Sequence, residues 1–320
     1  MQYFLNRDFS LLSILISLVS MISICIPVYN FDIRTLVKTL HQQAAQLGLD
    51  YEIILLDDAS EDQFIFLNRE IAALDHVRWM ELPTNLGRSK IRNQLASLAH
   101  FPNLIFMDCD SKVVGDDYLK NYIEAIDADV QVICGGRTHE TTPPPPQEYL
   151  RWIYGKSREE KSAAERSQHP NHSFMTNNFL IKRDLFETIK FDENLKGYGH
   201  EDSLFGFALL KMGITIHHID NPLAHIGLEP APVFLAKTEQ GIKNLLFIYQ
   251  SFPDYKEMIG GIRILKVFHT LKKLGLHNII AWRFKQKKEA WKNNLLGPHP
   301  DLRIFDWYKL GLICTLGKEK

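Results

Sequence analysis

Five mostly apolar runs recur along the first half of the chain, at Ile22–Val28, Tyr51–Leu56, Val77–Leu82, Asn103–Met107 and Val130–Cys134. Between them, apolar positions fall three and four apart at Ile33–Leu47, Gln63–Leu74, Arg88–His100 and Asp117–Ile126. Nearly continuous apolar strands alternating with amphipathic helices predict an α/β domain, a mostly parallel sheet with helices on both faces. Phe174–Ile181 predicts a further strand and Arg183–Ile189 a helix. A glycine turn, Gly197-Tyr198-Gly199, then leads into an apolar helix that opens on Glu201 and Asp202 and runs through Leu210. Residues 139–172 break the rhythm with four prolines (Pro143 to Pro146), an aromatic cluster around Trp152 and a charged stretch, and read as a lid-like insertion. No internal repeat is evident.

In a parallel α/β sheet, ligands bind outside the carboxyl ends of the strands. Three polar clusters fall at those ends: Tyr29 and Asn30, Asp57 and Asp58, and Asp108-Cys109-Asp110. Strand side chains alternate with period two, so Asp108 and Asp110 share one side. Two neighbouring carboxylates repel, and such a pair persists where a cation or a hydroxyl ligand sits between them. For the pair Asp57 and Asp58, the local reading is capping of the helix that follows, which falls to Asp57 or Ser60.

The 320 residues, 45% of them hydrophobic, can bury a sizeable core. The net charge of −1 conceals an asymmetry. From Pro232 onward there are 16 Lys and Arg against 7 Asp and Glu, so an acidic body carries a basic tail. The four cysteines are scattered without a Cys-x-x-Cys pair, which argues against a zinc site or a disulfide framework and fits a reducing cytoplasm. Phe9 to Val19 is apolar but runs directly into the first predicted strand, leaving too little length for a spanning helix of about 20 residues. Residues 1–20 therefore read as an upstream extension, with translation starting at Met21; a short membrane-adhering segment is the competing expectation.

The segments ISICIPVYN, YEIILLDDAS, NLGRSKIRN, LIFMDCDSKV and GYGHEDSLFG, in this order and spacing, resemble the family 2 glycosyltransferases of the GT-A fold. The resemblance covers about Ile22 to Glu229, with residues 232–320 left as a basic helical C-terminal region. It implies an inverting transfer of a hexosyl or N-acetylhexosaminyl group from a nucleotide-diphosphate donor, UDP foremost, to a glycan or lipid-linked acceptor. Pro27 and Tyr29 would line the nucleoside pocket, Asp58 would accept from a base N–H, and Arg88, with Lys90 and Arg92 nearby, would help hold the nucleotide. Arg92 reads equally as a structural ion pair under the sheet. Asp108 would face the ribose, while Asp110 and His225 would bind a divalent ion, Mn²⁺ or Mg²⁺. Asp202 would be the general base, with Glu201 holding it or the acceptor; alone, the acidic pair would read as favourable charges at a helix start. Trp152 and His200 would wall the acceptor site, Trp152 as a ring on which a sugar stacks.

Two other classes fit parts of this pattern. Haloacid-dehalogenase-type phosphatases also use an Asp-x-Asp, but Lys112 stands where they carry Thr or Val, and the motif lies on the fourth strand. A non-catalytic sugar-nucleotide binding protein would tolerate loss of Asp110 or Asp202. In the tail, Ile264, Val267, Phe268, Leu271 and Leu274 share a helical face with Arg263, Lys266 and Lys273 mostly opposite, and Trp282–Trp291 interleaves aromatics with lysines. Such helices either pack on the body or lie on an anionic membrane surface, which would place the protein in the cytoplasm, peripheral on the inner face and serving surface polysaccharide assembly. No nucleic-acid recognition motif is present, and the acidic body argues against that partner.

Overall fold

Strand β1 (Met21–Val28) shows why the sheet forms: Ile22, Ile24, Ile26 and Val28 enter one core and Cys25 the other. The same alternation holds in β2 (Asp50–Asp57), where Ile53 and Leu55 oppose Ile54 and Leu56. It recurs in β4 (Asn103–Met107), with Ile105 and Met107 opposing Leu104 and Phe106. Period-two burial on both faces demands a helical layer on each side. The computed structural model describes residues 21–195, 197–251 and 261–317. The expectations for residues 1–20 lie outside the described residues.

One layer is built by α1 (Arg34–Leu47) and α4 (Tyr118–Ala125), and the other by α3 (Arg88–Leu98), α6 (Arg183–Ile189) and α7 (Glu201–Lys211). The predicted helix at Gln63–Leu74 is split into α2 (Asp62–Asn68) and a 3₁₀ turn over Arg69–Ala73. With β3 (Val77–Glu81), β6 (Val132–Cys134), β8 (Asn178–Lys182) and β9 (His217–His218), the sheet has the order β3-β2-β1-β4-β8-β6-β9. The first four strands are parallel, and β8 runs antiparallel to both β4 and β6. Of the predicted strand Phe174–Ile181, only the part from Asn178 pairs; Thr176 and Asn177 are buried ahead of it. In the β1–β2 register Val28 faces Asp57, so the ends of these strands share one rim.

A second sheet, β5 (Ser111–Val113), β10 (Leu223–His225) and β7 (Arg137–His139), lies just beyond that rim. Its antiparallel pairing places His225 opposite Ser111, and Ile226 N donates to Asp110 O at 3.0 Å.

The insertion is tied to the body and to the C-terminal helices by buried contacts. After a 3₁₀ turn, α5 (Tyr149–Tyr154) runs into a π turn at Gly155–Glu159 and a Ser162-capped turn over Ala163–Arg166. The buried Arg166 guanidinium donates to Ile219 O at 2.7 Å and to His218 Nδ1 at 3.1 Å. Leu150 and Tyr154 join the core of the C-terminal helices α8 (Ala231–Ser251), α9 (Arg263–Lys273), α10 (His277–Leu296) and α11 (Leu302–Leu316).

The C-terminal region is thus a packed helical layer on the body. In α9 the buried residues are Leu265 and Phe268, while Val267 and Leu274, expected on the apolar face, stay exposed. Among the described residues no helix is long and apolar enough to cross a membrane.

Candidate active site

Immediately after β1, Tyr29 is 53% exposed, and Asn30 takes a left-handed conformation (φ 48°) that turns the chain back over the rim. Asn30 ties this loop to the one after β2: its N–H donates to Ser60 Oγ at 2.8 Å, and its Oδ1 accepts from Glu61 N at 2.8 Å. Asp57 accepts from Ser60 N (2.8 Å) and Ser60 Oγ (2.6 Å), so it caps the turn just before α2 rather than the helix itself. Asp58 is the residue left facing the next loop, accepting from Leu86 N at 2.6 Å and Gly87 N at 3.1 Å. Burial raises its carboxyl above the ordinary range against the pull of these two amides. Pro27 is half-buried at the end of β1.

Asp108 sits inside an arginine cage. Arg92, only 2% exposed, lies 2.5 Å from Asp108 Oδ1, with Arg137 and Arg88 at 3.6 and 3.7 Å from Oδ2. Arg92 is therefore the structural ion pair, and its second bond goes to Arg88 O at 3.0 Å. Arg88 reaches across the rim instead: its Nε donates to Glu201 Oε1 at 2.7 Å, and its guanidinium lies 5.0 Å over the Tyr198 ring. Asp108 is thus engaged by three arginines at once.

Asp110 faces His225, whose Nε2 is 3.1 Å from Asp110 Oδ2. Burial alone would raise the Asp110 carboxyl, but the His225 hydrogen bond and the charges of Arg137 and Arg88 outweigh it and hold it well below the carboxylate range. Asp110 Oδ1 and His225 Nδ1 are buried without a hydrogen-bond partner. A carboxylate beside an imidazole, with an unsatisfied oxygen, fits Mn²⁺ or Mg²⁺. Among the described residues no three His, Cys, Asp or Glu side chains are grouped to hold a metal. Gly227 belongs to this corner because an added Cβ would stand 2.6 Å from Asp110 Cβ.

The loop before α7 sets the other side. Gly199 has φ +101° and an added Cβ would stand 3.0 Å from Gly241 Cα on α8, so both the turn and the close approach require glycine. Glu201 is buried, bonded to Arg88 and to Gly199 N at 3.1 Å. Burial opposes its ionisation, but Arg88 and Arg92 prevail and keep its carboxyl below the usual value. Its neighbour Asp202 moves the other way: burial, then the Glu201 charge, pushes it up to about 6. Asp202 Oδ1 accepts from Ser203 N at 2.6 Å, which fixes the side chain. His200 takes a left-handed conformation (φ 71°) and is pushed down to about 4 by burial, hence neutral at pH 7.

Asp108, Glu201, Asp202 and His200 line one cavity of about 910 Å³, enclosed by the insertion, α8, α9 and α11. Pro27, Tyr29, Asp58, Asp110 and His225 lie outside it. Trp152 corrects a sequence expectation: it is only 9% exposed, its Nε1 donates to Glu140 O at 2.9 Å, and it does not line the cavity. Tyr154, Tyr198, Phe234 and Trp307 line it instead. The sequence reading also missed Arg137, brought beside Asp108 by β7, and Glu159, which pairs with Arg137 at 3.1 Å and Arg151 at 2.9 Å. Neither carries a local motif: the pairing of β7 places Arg137, and the π turn of the insertion places Glu159.

A mostly parallel sheet ending in an acidic rim, with the Glu201–Asp202 pair on the wall of the adjoining cavity, is the arrangement of a nucleotide-sugar glycosyltransferase of the GT-A fold. The model of glycosyl transferase family 2 matches residues 23–190, and the chain belongs to that family. The chain is 24% identical over 286 residues to the uncharacterized glycosyltransferase YfnE of Bacillus subtilis, covering 80% of this chain and 72% of that one. It is also 24% identical over 236 residues to chondroitin synthase of Escherichia coli, covering 64% of this chain but only 34% of that longer protein. In fold it is similar to a mannosyltransferase from Pyrobaculum calidifontis solved with GDP-Man and Mn²⁺, with a TM-score of 0.60 at 14% identity over 93% of this chain and 88% of that one. Residues 1–349 of Staphylococcus aureus TarS give 0.52 at 16% identity over 94% and 92%.

Proposed function

We propose that this glycosyltransferase moves a hexosyl or N-acetylhexosaminyl group with inversion from a UDP-sugar to the hydroxyl of a glycan or lipid-linked acceptor in surface polysaccharide assembly. The observation that carries the choice of base is the split between Glu201 and Asp202, side by side on the cavity wall. One carboxyl of the pair is held low by Arg88, and the other is raised to about 6 on the cavity wall. Titratable neighbours pushed apart in this way are how a site makes a base poised near neutral pH.

Asp202 would take the acceptor proton as its oxygen attacks the anomeric carbon, with Ser203 fixing the carboxylate. Glu201 and Arg88 hold that end of the loop. Tyr29 would lie against the base, with Asp58 accepting its ring N–H and Asp108 facing the ribose from the arginine cage. Asp110 and His225 would hold Mn²⁺ or Mg²⁺, which when bound neutralises the departing diphosphate.

The exposed apolar side chains Leu274 (63%), Ile279 (58%) and Trp282 (62%) lie at the α9–α10 corner, among Lys272, Lys273 and Arg283. This patch would rest on an anionic bilayer at the cytoplasmic face.

The test is thermal stability with UDP, GDP or dTDP, each with and without Mn²⁺, for the wild type and Asp110→Asn. Stabilisation of about 2.7 kcal/mol is expected at 100 times the dissociation constant. UDP should act alone among the three, only with Mn²⁺ and only in the wild type. No shift with any nucleotide in the folded protein would defeat the reading.

A further inference from the structure

The cavity that holds Asp202 is basic although the body around it is acidic. Among the described residues nine lysines and arginines line it against five carboxylates. Near the base the charges are paired: Arg88 with Glu201, Arg137 with Asp108 and Glu159, and Lys237 with Glu229. Around Asp306 they are not. Arg158 and Lys309 both lie on the single carboxylate of Asp306, at 2.9 and 3.2 Å. Arg263 and Arg303 line the same cavity and have no carboxylate partner among the described residues. On α11, Arg303, Asp306, Trp307 and Leu310 recur three and four apart and so face the cavity together.

Arg158, Arg263 and Lys309 are close enough to feel one another. The Lys309 ammonium, 19% exposed and stacked 4.7 Å from the Phe305 ring, is pushed down first by burial and also by Arg158 and Arg263. Lys309 in turn helps to depress His200, which adjoins the Glu201–Asp202 pair. Among the described residues these four cations share one carboxylate, Asp306, which leaves three positive charges to be matched. A carboxylate ligand would match one of them, a phosphate ester or diphosphate about two.

We infer that the acceptor of this enzyme carries a phosphate group, which docks on Arg158, Arg263, Arg303 and Lys309 while its hydroxyl reaches Asp202. The inference rests on the transferase function proposed above and names its acceptor class. Such a group comes either from a lipid-linked phosphate or from a soluble sugar phosphate. Ile264, Val267, Trp307 and Leu310, which line the same cavity, offer an apolar wall to the former.

The test uses the full chain with UDP and Mn²⁺ present, titrated calorimetrically with glucose 1-phosphate, dodecyl phosphate below its micellar concentration, glucuronate and glucose. The same titrations are made with the double variant Arg263→Gln/Arg303→Gln, whose side chains are exposed. The phosphates should bind, glucose should not, and the variant should bind the phosphates at least about tenfold more weakly. Its stabilisation by UDP should be unchanged. Tighter binding of dodecyl phosphate identifies a lipid-linked acceptor; tighter binding of glucose 1-phosphate, a soluble one. The inference is overturned if phosphates bind no better than glucose, if glucuronate binds as tightly as glucose 1-phosphate, or if the variant binds unchanged. Absence of UDP stabilisation in the wild type would defeat the donor reading instead. Phosphate binding without UDP, weakened in the variant, would then still establish the anion site.

Discussion

Replacing Arg92 by methionine separates its structural role from a nucleotide-binding one. The side chain is 2% exposed and makes two bonds, to Asp108 Oδ1 at 2.5 Å and to Arg88 O at 3.0 Å. Methionine keeps most of the volume where the guanidinium lies 5.9 Å over the Phe191 ring, but removes the charge. Breaking a buried pair from one side costs about 3–5 kcal/mol, because the remaining ion is stranded. Asp108 is not wholly stranded, since Arg88 and Arg137 stay within 3.7 and 3.6 Å. The expected loss is therefore at the low end, about 3 kcal/mol. Asp108→Asn leaves the Arg92 guanidinium buried, with its Nε already unpartnered, and belongs at the upper end, about 5 kcal/mol. The double variant should lose less than the sum, by about 2 kcal/mol. Urea unfolding followed by circular dichroism measures all three. A cost below about 1 kcal/mol for Arg92→Met, the size of an ordinary surface change, would refute the buried pair. Joined to a loss of UDP stabilisation, it would return Arg92 to the nucleotide site.

Asp202→Asn keeps the oxygen that accepts from Ser203 but removes the base, so kcat should fall about 10²–10⁴-fold with UDP stabilisation intact; a variant retaining a tenth of the activity would exclude the role. Because the base must be ionised and its folded value is about 6, kcat/KM should rise tenfold per pH unit below about pH 6 and level off above it. A profile flat across that value would count against Asp202. Trp282→Ser with Leu274→Ser should abolish most sedimentation with anionic vesicles and leave the melting temperature unchanged, since both side chains are exposed and each contributes about 1.5–3 kcal/mol only when buried in lipid. Undiminished sedimentation would locate the membrane contact elsewhere or deny it.

The alternating strands and helices were legible because burial on both sheet faces imposes nearly continuous apolar runs, as in Ile22–Val28. The rim residues Tyr29, Asp58, Asp108 and Asp110 were legible for the same reason: a strand end is marked by the residue that stops being apolar. The Glu201–Asp202 pair was announced by its glycine turn. Trp152 misled because an aromatic cluster looks alike whether it walls a cavity or packs beneath it, and only the bond to Glu140 O distinguishes them.

The chain order of apolar and polar residues thus determined the sheet, its helices and the motif-bearing rim, since each depends on neighbours within one strand, helix or turn. Tertiary structure alone decided which charges meet. Arg92 and Asp108 are 16 residues apart, Asp110 and His225 are 115 apart, and Arg158 and Asp306 are 148 apart. A Coulomb interaction depends on distance in space and on burial, and neither is written in the spacing along the chain. The caged Asp108, the raised Asp202 and the basic lining around Asp306 all come into being only when β7, β10 and the C-terminal helices close around the rim.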